Sequence, residues 1–348
     1  MPDRPGSIPA LALPARSRGR AGDLLAARGM DAGVARAILR RAHELATHPT
    51  SGSPSSQPSH RPLAERIIAN VFLEDSTRTR LSFSIAAARL GAHAFDLTSA
   101  GSSVRKGEDL PDTVRTIDAM GVDAIVIRAP GPGSALVASR HARCPVINAG
   151  DGAHEHPTQA LLDCLALAEA SGRAPGFDFS SMRVVIAGDI ASSRVARSNI
   201  ALMTTLGAKV VCVGPPALLP ESMASLGCEI SRDLDAAIEH ASAVMMLRIQ
   251  FERHDGAPGS GPPKIPSQRE YRAAYALTTE RAQRLSKDAW IMHPGPMNRG
   301  LEIDASVADS PRSLISAQVE AGVRVRMAVL ERAIAASENQ PKAGEIAP

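Results

Sequence analysis

The run Ile67-Ile68-Ala69-Asn70-Val71-Phe72-Leu73 leads without a break into Glu74-Asp75-Ser76-Thr77-Arg78-Thr79-Arg80. Its first half is branched and apolar with no polar alternation, the mark of a strand buried on both faces. Its second half is polar, and the spacing beyond it predicts a helix to about residue 90. Strand, polar turn and helix open an α/β unit. Moving outward, the unit recurs: short strands are predicted at 94–97, 124–127 and 146–148, with helices at about 110–120 and 157–170. Buried strands alternating with helices imply a mostly parallel sheet.

Upstream, Val34, Ile38, Leu39, Ala42 and Leu45 recur at helical spacing behind Asp31, a good N-cap, and predict a helix over 31–46. Residues 48–62, with four prolines and five serines, read as a loop insertion. Ser171-Gly172-Arg173-Ala174-Pro175-Gly176 marks a boundary, followed by a fresh series of strands at 184–187, 210–213 and 244–247. Residues 256–266 are Gly/Pro-rich and read as a surface loop, and 311–336 reads as a closing helix carrying Val319, Val323, Val325, Met327 and Leu330. The fold class expected is α/β, with two domains, each a mostly parallel sheet flanked by helices, and a closing C-terminal helix. The expected divisions are a flexible leader at 1–22, a first domain at 23–170, a second at 171–310, a helix at 311–338 packing back on the first domain, and a tail at 339–348.

Composition narrows the function. The chain has 348 residues, 44% hydrophobic and 22% charged, enough for two globular domains. No apolar run approaches the ~20 residues of a membrane span, and a net charge of +3 is small for a nucleic-acid binder. Aromatic residues make up 3%, too few to build rows of base-stacking platforms, so a small-molecule ligand is expected. Cys144, Cys164, Cys212 and Cys228 stand far apart with no C-x-x-C pair, which reads as free buried thiols in a reducing compartment. The leader carries Arg4, Arg16, Arg18 and Arg20, as a transit segment would, but Asp3, Pro5, Pro9 and Pro14 oppose the amphipathic helix such a segment needs. A cytoplasmic location is the expectation.

The residues that carry chemistry follow strand ends. At Ser76-Thr77-Arg78-Thr79-Arg80, hydroxyls, free backbone N–H groups, a helix N-terminus and two arginines converge, which suits a phosphate. The plain alternative is a Ser/Thr N-cap with solvated arginines. Arg128 follows the strand at 124–127, and His156-Pro157-Thr158-Gln159 follows the strand at 146–148. Pro157 fits a first helical turn, so His156 stands at the helix start with Gln159 near the same end. A neutral imidazole, an amide and an arginine beside a phosphate site suit polarisation of a carbonyl. His154 and His156 lack a third ligand at short spacing and the i, i+4 geometry of zinc-binding pairs, so no metal is expected. Ser102-Ser103-Val104-Arg105-Lys106-Gly107-Glu108 reads by pattern alone as a solvated cationic loop. In the second domain, Gly188-Asp189-Ile190-Ala191-Ser192-Ser193 lacks the G-x-G-x-x-G of a dinucleotide site. Arg194 and Arg248, the latter with Gln250, can each clamp a carboxylate or equally lie in solvent.

The combination resembles the aspartate carbamoyltransferase catalytic chains of the aspartate/ornithine carbamoyltransferase family, over about 22–335. Six ordered motifs carry the likeness: Ser76-Thr77-Arg78-Thr79-Arg80, Lys106-Gly107-Glu108, Asn148-Ala149-Gly150-Asp151-Gly152, His156-Pro157-Thr158-Gln159-Ala160-Leu161-Leu162-Asp163, Arg248-Ile249-Gln250 and His293-Pro294-Gly295-Pro296. The resemblance implies transfer of the carbamoyl group of carbamoyl phosphate to L-aspartate in pyrimidine synthesis. It makes 23–170 a carbamoyl-phosphate-binding domain and 171–310 an aspartate-binding domain. By the same likeness Ser76, Thr77, Arg78 and Thr79 hold phosphate, while Thr79, Arg128, His156 and Gln159 contact the carbamoyl end. Ser102 and Lys106 reach a neighbouring subunit's site in a homotrimer. Arg194, Arg248 and Gln250 hold the aspartate carboxylates, with the backbone at Pro294 and Gly295 completing the pocket. No metal or organic cofactor is implied; a regulatory chain or a dihydroorotase is a partner class the family admits.

Three features depart from the family pattern. Ala129 stands where the family usually has His, 48–62 is longer than usual, and the 256–266 insertion follows closely on Arg248 and Gln250. Two other readings compete: a carbamoyltransferase acting on ornithine, and a silent paralogue serving as a structural subunit. Arg248 would repel ornithine's ammonium, and the phosphate-site residues a silent chain tends to lose are present.

Overall fold

The run at 67–73 forms β1 (Ile67–Phe72) in a computed structural model that describes residues 20–47, 61–98, 108–249 and 267–339. Five of its six side chains are buried, as a strand covered on both faces requires. β2 (His93–Thr98) and β3 (Ala124–Ala129) flank it, and β4 (Val146–Asp151) completes a sheet of order β2-β1-β3-β4 in which every pair is parallel. The crossovers use α2 (Thr77–Arg89), α3 (Leu110–Ala119) and α4 (Ser134–His141), while α1 (Ala32–Thr47) precedes the sheet and α5 (Pro157–Ala170) leaves it. Asp31 starts α1 as expected, its Oδ1 accepting the N–H groups of Gly33 and Val34 at 2.8 and 3.2 Å.

A second all-parallel sheet has the order β7-β6-β5-β8-β9. Its strands are β5 (Arg183–Ala187), β6 (Lys209–Val213), β7 (Glu229–Ser231), β8 (Ala243–Met246) and β9 (Trp290–Met292). Around them lie α6 (Arg194–Thr205), α7 (Leu234–Ile238), α8 (Gln268–Tyr275), α9 (Thr279–Arg284) and α10 (Ala305–Ala308). The last helix, α11 (Ile315–Glu338), packs on α1, α2 and α5. One apolar core runs without interruption from Ile68, Phe72 and Leu161 to Val184 and Ile186, and includes Val325 and Leu330 of α11. The expected α/β class, with two parallel sheets and a C-terminal helix, is the architecture found. All four cysteines are buried free thiols.

Two expectations need correction. The closing helix begins at Ile315, not at 311, because the preceding residues run beside β9: the Ile291 N–H donates to Arg312 O at 2.9 Å and the Leu314 N–H to Ile291 O at 2.8 Å. Of the apolar residues that marked it, Val325, Met327 and Leu330 are buried, together with Gln318, Ala321, Gly322 and Arg326, whereas Val319 is 62% exposed. Strand β9 itself, three residues long, is too short to register as a pattern and is defined by its pairing with β8.

The leader through residue 19, most of the 48–62 insertion, the 256–266 loop and the tail from 340 lie outside the described residues.

Candidate active site

Open parallel sheets bind ligands where the strand order reverses, outside the carboxyl ends of the strands. Each sheet has one such point: between β1 and β3 in the first, and between β5 and β8 in the second. At those four strand ends stand the turn that follows β1, Arg128 as the last residue but one of β3 rather than beyond it, the turn that follows β5, and Arg248 beyond β8. Residues 74–79, Arg128, 192–194 and Arg248 line a single cleft of 710 Å³ between the two sheets.

The first-sheet wall begins at α2. Ser76 is its N-cap residue, yet its side chain makes no capping hydrogen bond, so the hydroxyl is not spent on the helix. Thr77, Arg78 and Thr79 form the first turn and line the cleft with it. Burial, and then the nearby charge of Arg248, lowers the Arg78 guanidinium below its ordinary range. His156 is the N-cap residue of α5, 3% exposed, with its backbone N–H donating to Ser198 Oγ at 2.8 Å. Burial first, then the charges of Arg128, Arg194 and Arg326, hold its imidazole well below the usual histidine range. The ring is therefore neutral at physiological pH. Gln159 also lines the cleft, its Nε2 donating to Asp163 Oδ1 at 2.9 Å.

The second-sheet wall carries Arg194 at the start of α6, Arg248 beyond β8, and Pro294-Gly295-Pro296 beyond β9. Gly295 has φ +63°, a conformation glycine adopts without strain, and a Cβ there would lie 3.7 Å from Arg78 Cζ. The turn is held from behind by buried His293, whose Nδ1 accepts the Gly295 N–H at 2.9 Å while Nε2 donates to Glu302 Oε1 at 3.2 Å.

Arg128 and Arg194 converge from the two walls. Arg128 Nη2 donates to Glu74 Oε1 at 2.7 Å, and Arg194 Nη1 donates to Glu74 Oε2 at 3.0 Å and to Gly152 O at 3.1 Å. Both guanidiniums lie over Gly150, whose φ is +119° and whose Cβ, if present, would meet Arg194 Nε at 3.0 Å and Arg128 Nη1 at 3.2 Å. The glycine in Asn148-Ala149-Gly150-Asp151-Gly152 is thus needed for the close approach of two cations. His154 is not part of the cleft lining; its Nδ1 pairs with Asp151 Oδ2 at 3.0 Å.

A cleft with cations on both walls, an N-terminal helix turn and a neutral imidazole suits an anionic acyl phosphate meeting a second anionic substrate. Comparison with known proteins sharpens this. Residues 23–169 match the aspartate/ornithine carbamoyltransferase carbamoyl-P binding domain, and residues 180–333 match the Asp/Orn binding domain of the same enzymes. The chain belongs to the aspartate/ornithine carbamoyltransferase family.

Within that family, the aspartate carbamoyltransferase catalytic subunit of Novosphingobium aromaticivorans is 54% identical over 265 residues, covering 76% of each chain. Among solved structures, aspartate transcarbamoylase from Trypanosoma cruzi in complex with carbamoyl phosphate and aspartate superposes with a TM-score of 0.77 at 28% identity, covering 90% of this chain and 97% of that one. Ornithine carbamoyltransferase from Pyrococcus furiosus also gives a TM-score of 0.77 at 28% identity, covering 91% and 97%. Backbone likeness therefore establishes the carbamoyltransferase fold without choosing the acceptor.

Of the residues singled out in the sequence, Ser102, Lys106 and Gln250 lie outside the described residues. The other residues assigned to substrates line the cleft, whereas His154 and Arg80 do not; Arg80 Nε pairs instead with Asp96 Oδ2 at 3.5 Å. Sequence reasoning passed over two cleft residues of this carbamoyltransferase chain, Glu74 and Arg326. Glu74 had one available signal, an acid placed at a strand exit two residues from a phosphate-type turn. Arg326 is 4% exposed, lines the cleft, and sits with Cζ 5.2 Å from the centre of the Phe83 ring. Burial lowers its pKa to about 10, partly offset by Asp163. Its signal was an arginine in register with Gln318, Ala321, Gly322 and Val325, the stripe that α11 buries.

Proposed function

We propose that this chain is an aspartate carbamoyltransferase, transferring the carbamoyl group of carbamoyl phosphate to L-aspartate to give N-carbamoyl-L-aspartate and phosphate in pyrimidine synthesis. One observation carries the reading: arginines from both sheets, Arg78 and Arg128 on one wall and Arg194 and Arg248 on the other, line one cleft. That charge pattern fits an acyl phosphate and a dicarboxylate, and relatives about half identical carry the aspartate name.

In this reading Ser76, Thr77, Arg78 and Thr79 hold the phosphate at the N-terminus of α2. The neutral amine of aspartate attacks the carbamoyl carbon, and charge grows on the carbonyl oxygen. Thr79, Arg128 and the neutral His156 donate to that oxygen, each such donor being worth about 3–4 kcal/mol. The bond from carbon to the phosphate oxygen then breaks, and the departing phosphate takes the amine proton. Gln159 meets the carbamoyl amide, and Arg194, Arg248 and Gln250 clamp the aspartate carboxylates beside Pro294 and Gly295. Residues 23–170 serve as the carbamoyl-phosphate domain, 171–310 as the aspartate domain, and 311–338 as a helix returning to the first. The family resemblance further supports a homotrimer in the cytoplasm, with Ser102 and Lys106 entering a neighbour's site, and admits a regulatory chain or dihydroorotase partner.

The test is carbamoyl transfer by purified protein with L-aspartate and L-ornithine in parallel, detecting each product directly. Product with aspartate alone is expected. Product with ornithine alone would overturn the acceptor assignment, and no product with either would favour a structural subunit.

A further inference from the structure

Asp163 lies one turn beyond Gln159 on α5, fully buried, and its carboxylate collects three amides. Gln159 Nε2 and Gln318 Nε2 donate to Oδ1 at 2.9 and 2.7 Å, and Asn199 Nδ2 donates to Oδ2 at 2.7 Å. Two of these amides have a second tether. Gln318 Oε1 accepts the His293 N–H at 3.0 Å, and Asn199 Nδ2 also donates to Val195 O at 3.0 Å. Gln159 has none: among the described residues its side-chain amide is bonded to Asp163 alone. An ionised carboxylate only accepts, so it must receive the Gln159 N–H₂ group, and the amide oxygen is the atom left for the cleft.

We propose that Asp163 is a positioning residue that sets donor specificity: by holding Nε2 of Gln159 it presents the Gln159 carbonyl oxygen to the cleft, which then selects an acyl phosphate bearing an –NH₂ over one bearing a methyl. The proposal rests on the carbamoyl-transfer reading. Asp163 itself touches no substrate; it acts through Gln159. A site built to accept an N–H rejects a ligand lacking it, because the buried acceptor is left unpaired. The groups facing Asp163 are the Gln159 amide and the Cys164 thiol on α5, the neutral Asn199 amide on α6, and the Gln318 amide and Arg326 guanidinium on α11. Burial raises its carboxyl to about 6 against the opposing pull of these amides and Arg326. A proton there would convert one oxygen to a donor, and Gln159, lacking a second tether, is the amide that turns.

Asp163→Asn is nearly isosteric but can donate, which frees Gln159 to reverse. The experiment measures dissociation constants of carbamoyl phosphate, acetyl phosphate and inorganic phosphate by titration calorimetry with aspartate withheld, on native chain already shown to form N-carbamoyl-L-aspartate. In the variant, carbamoyl phosphate should weaken about tenfold or more, with acetyl phosphate and inorganic phosphate within about twofold of native. Equal weakening of all three, or of none, overturns the proposal. Should the variant not fold, the native chain supplies the readout. Its preference for carbamoyl over acetyl phosphate should fall as pH drops through about 6. Both ligands share the phosphate and the carbonyl, so their titration and that of His156 cancel in the ratio, and a flat preference overturns the proposal. Absence of any carbamoyl product from native chain would instead overturn the functional reading.

Discussion

Arg194, at the start of α6 in the second sheet's half of the cleft, donates from Nη1 to Oε2 of Glu74, in the exit turn of β1, at 3.0 Å. The same carboxylate accepts from Arg128 at 2.7 Å, so one acid spans the cleft and joins two arginines assigned to two different substrates. With side-chain exposures of 22% for Glu74, 11% for Arg128 and 10% for Arg194, these charges are largely out of water.

Glu74→Gln should therefore destabilise the ligand-free chain, because removing one member of a partly buried set leaves the others uncompensated, at a cost of about 2–4 kcal/mol. An added anion should restore part of the loss. Thermal unfolding with and without inorganic phosphate checks this: phosphate should raise the melting temperature more in the variant than in native chain, and an equal rise would argue against a shared role for the two arginines.

His156 makes a prediction in pH. Its folded pKa lies well below the usual 6.5, first through burial and then through Arg128, Arg194 and Arg326. Between the two values the unfolded chain binds more protons than the folded one, so this group favours folding above about 6.5 and that advantage is lost as pH falls toward the folded value. His156→Gln removes the group. Denaturant unfolding of both proteins across this range should show native stability falling more steeply with acid than that of the variant; parallel curves would mean the histidine is not held neutral.

Arg248 tests the acceptor pocket. Arg248→Ala should raise the aspartate KM or reduce kcat by an amount equivalent to ~2–5 kcal/mol while carbamoyl phosphate binding changes little. Steady-state kinetics varying each substrate separates the two, and equal loss of both would remove Arg248 from the aspartate pocket.

Subunit sharing can be tested by complementation. Lys106→Ala and Arg78→Ala chains, each inactive alone, should regenerate some complete sites when dissociated, mixed and reassembled, because both lesions can then meet in one shared site and leave a neighbouring site with neither. Mixed oligomers of confirmed composition with no recovered activity would place Lys106 within its own chain's site.

Much of the fold was legible because its strands are short, branched and apolar. The β1 run and the turn at 74–80 announced strand, exit and helix, and the helix at 157–170 matched α5 end for end. Legibility failed where pairing decides the element. Trp290-Ile291-Met292 is a strand only because β8 offers an open edge, and Arg312 runs beside it because that segment completes the pairing. On α11 Val325, Met327 and Leu330 are buried, but apolarity alone did not mark the face, since Arg326 and Gln318 are carried inward with them while Val319 is exposed.

The sequence by itself determined the α/β class, the positions of the strand exits and the chemistry gathered at each: hydroxyls and arginines after β1, an arginine at the end of β3, an imidazole and an amide at the start of α5. These are local matters, written in runs of a few residues whose conformations depend mainly on their own periodicity and capping. Only the tertiary structure decided that the exits of two separate sheets share one cleft, that Gly150 lets Arg128 and Arg194 approach across it, and that Asp163 gathers amides from three helices behind Gln159. Those contacts join residues far apart in the chain, and an ion pair or buried hydrogen bond is set by where packing places its partners, which no local pattern encodes.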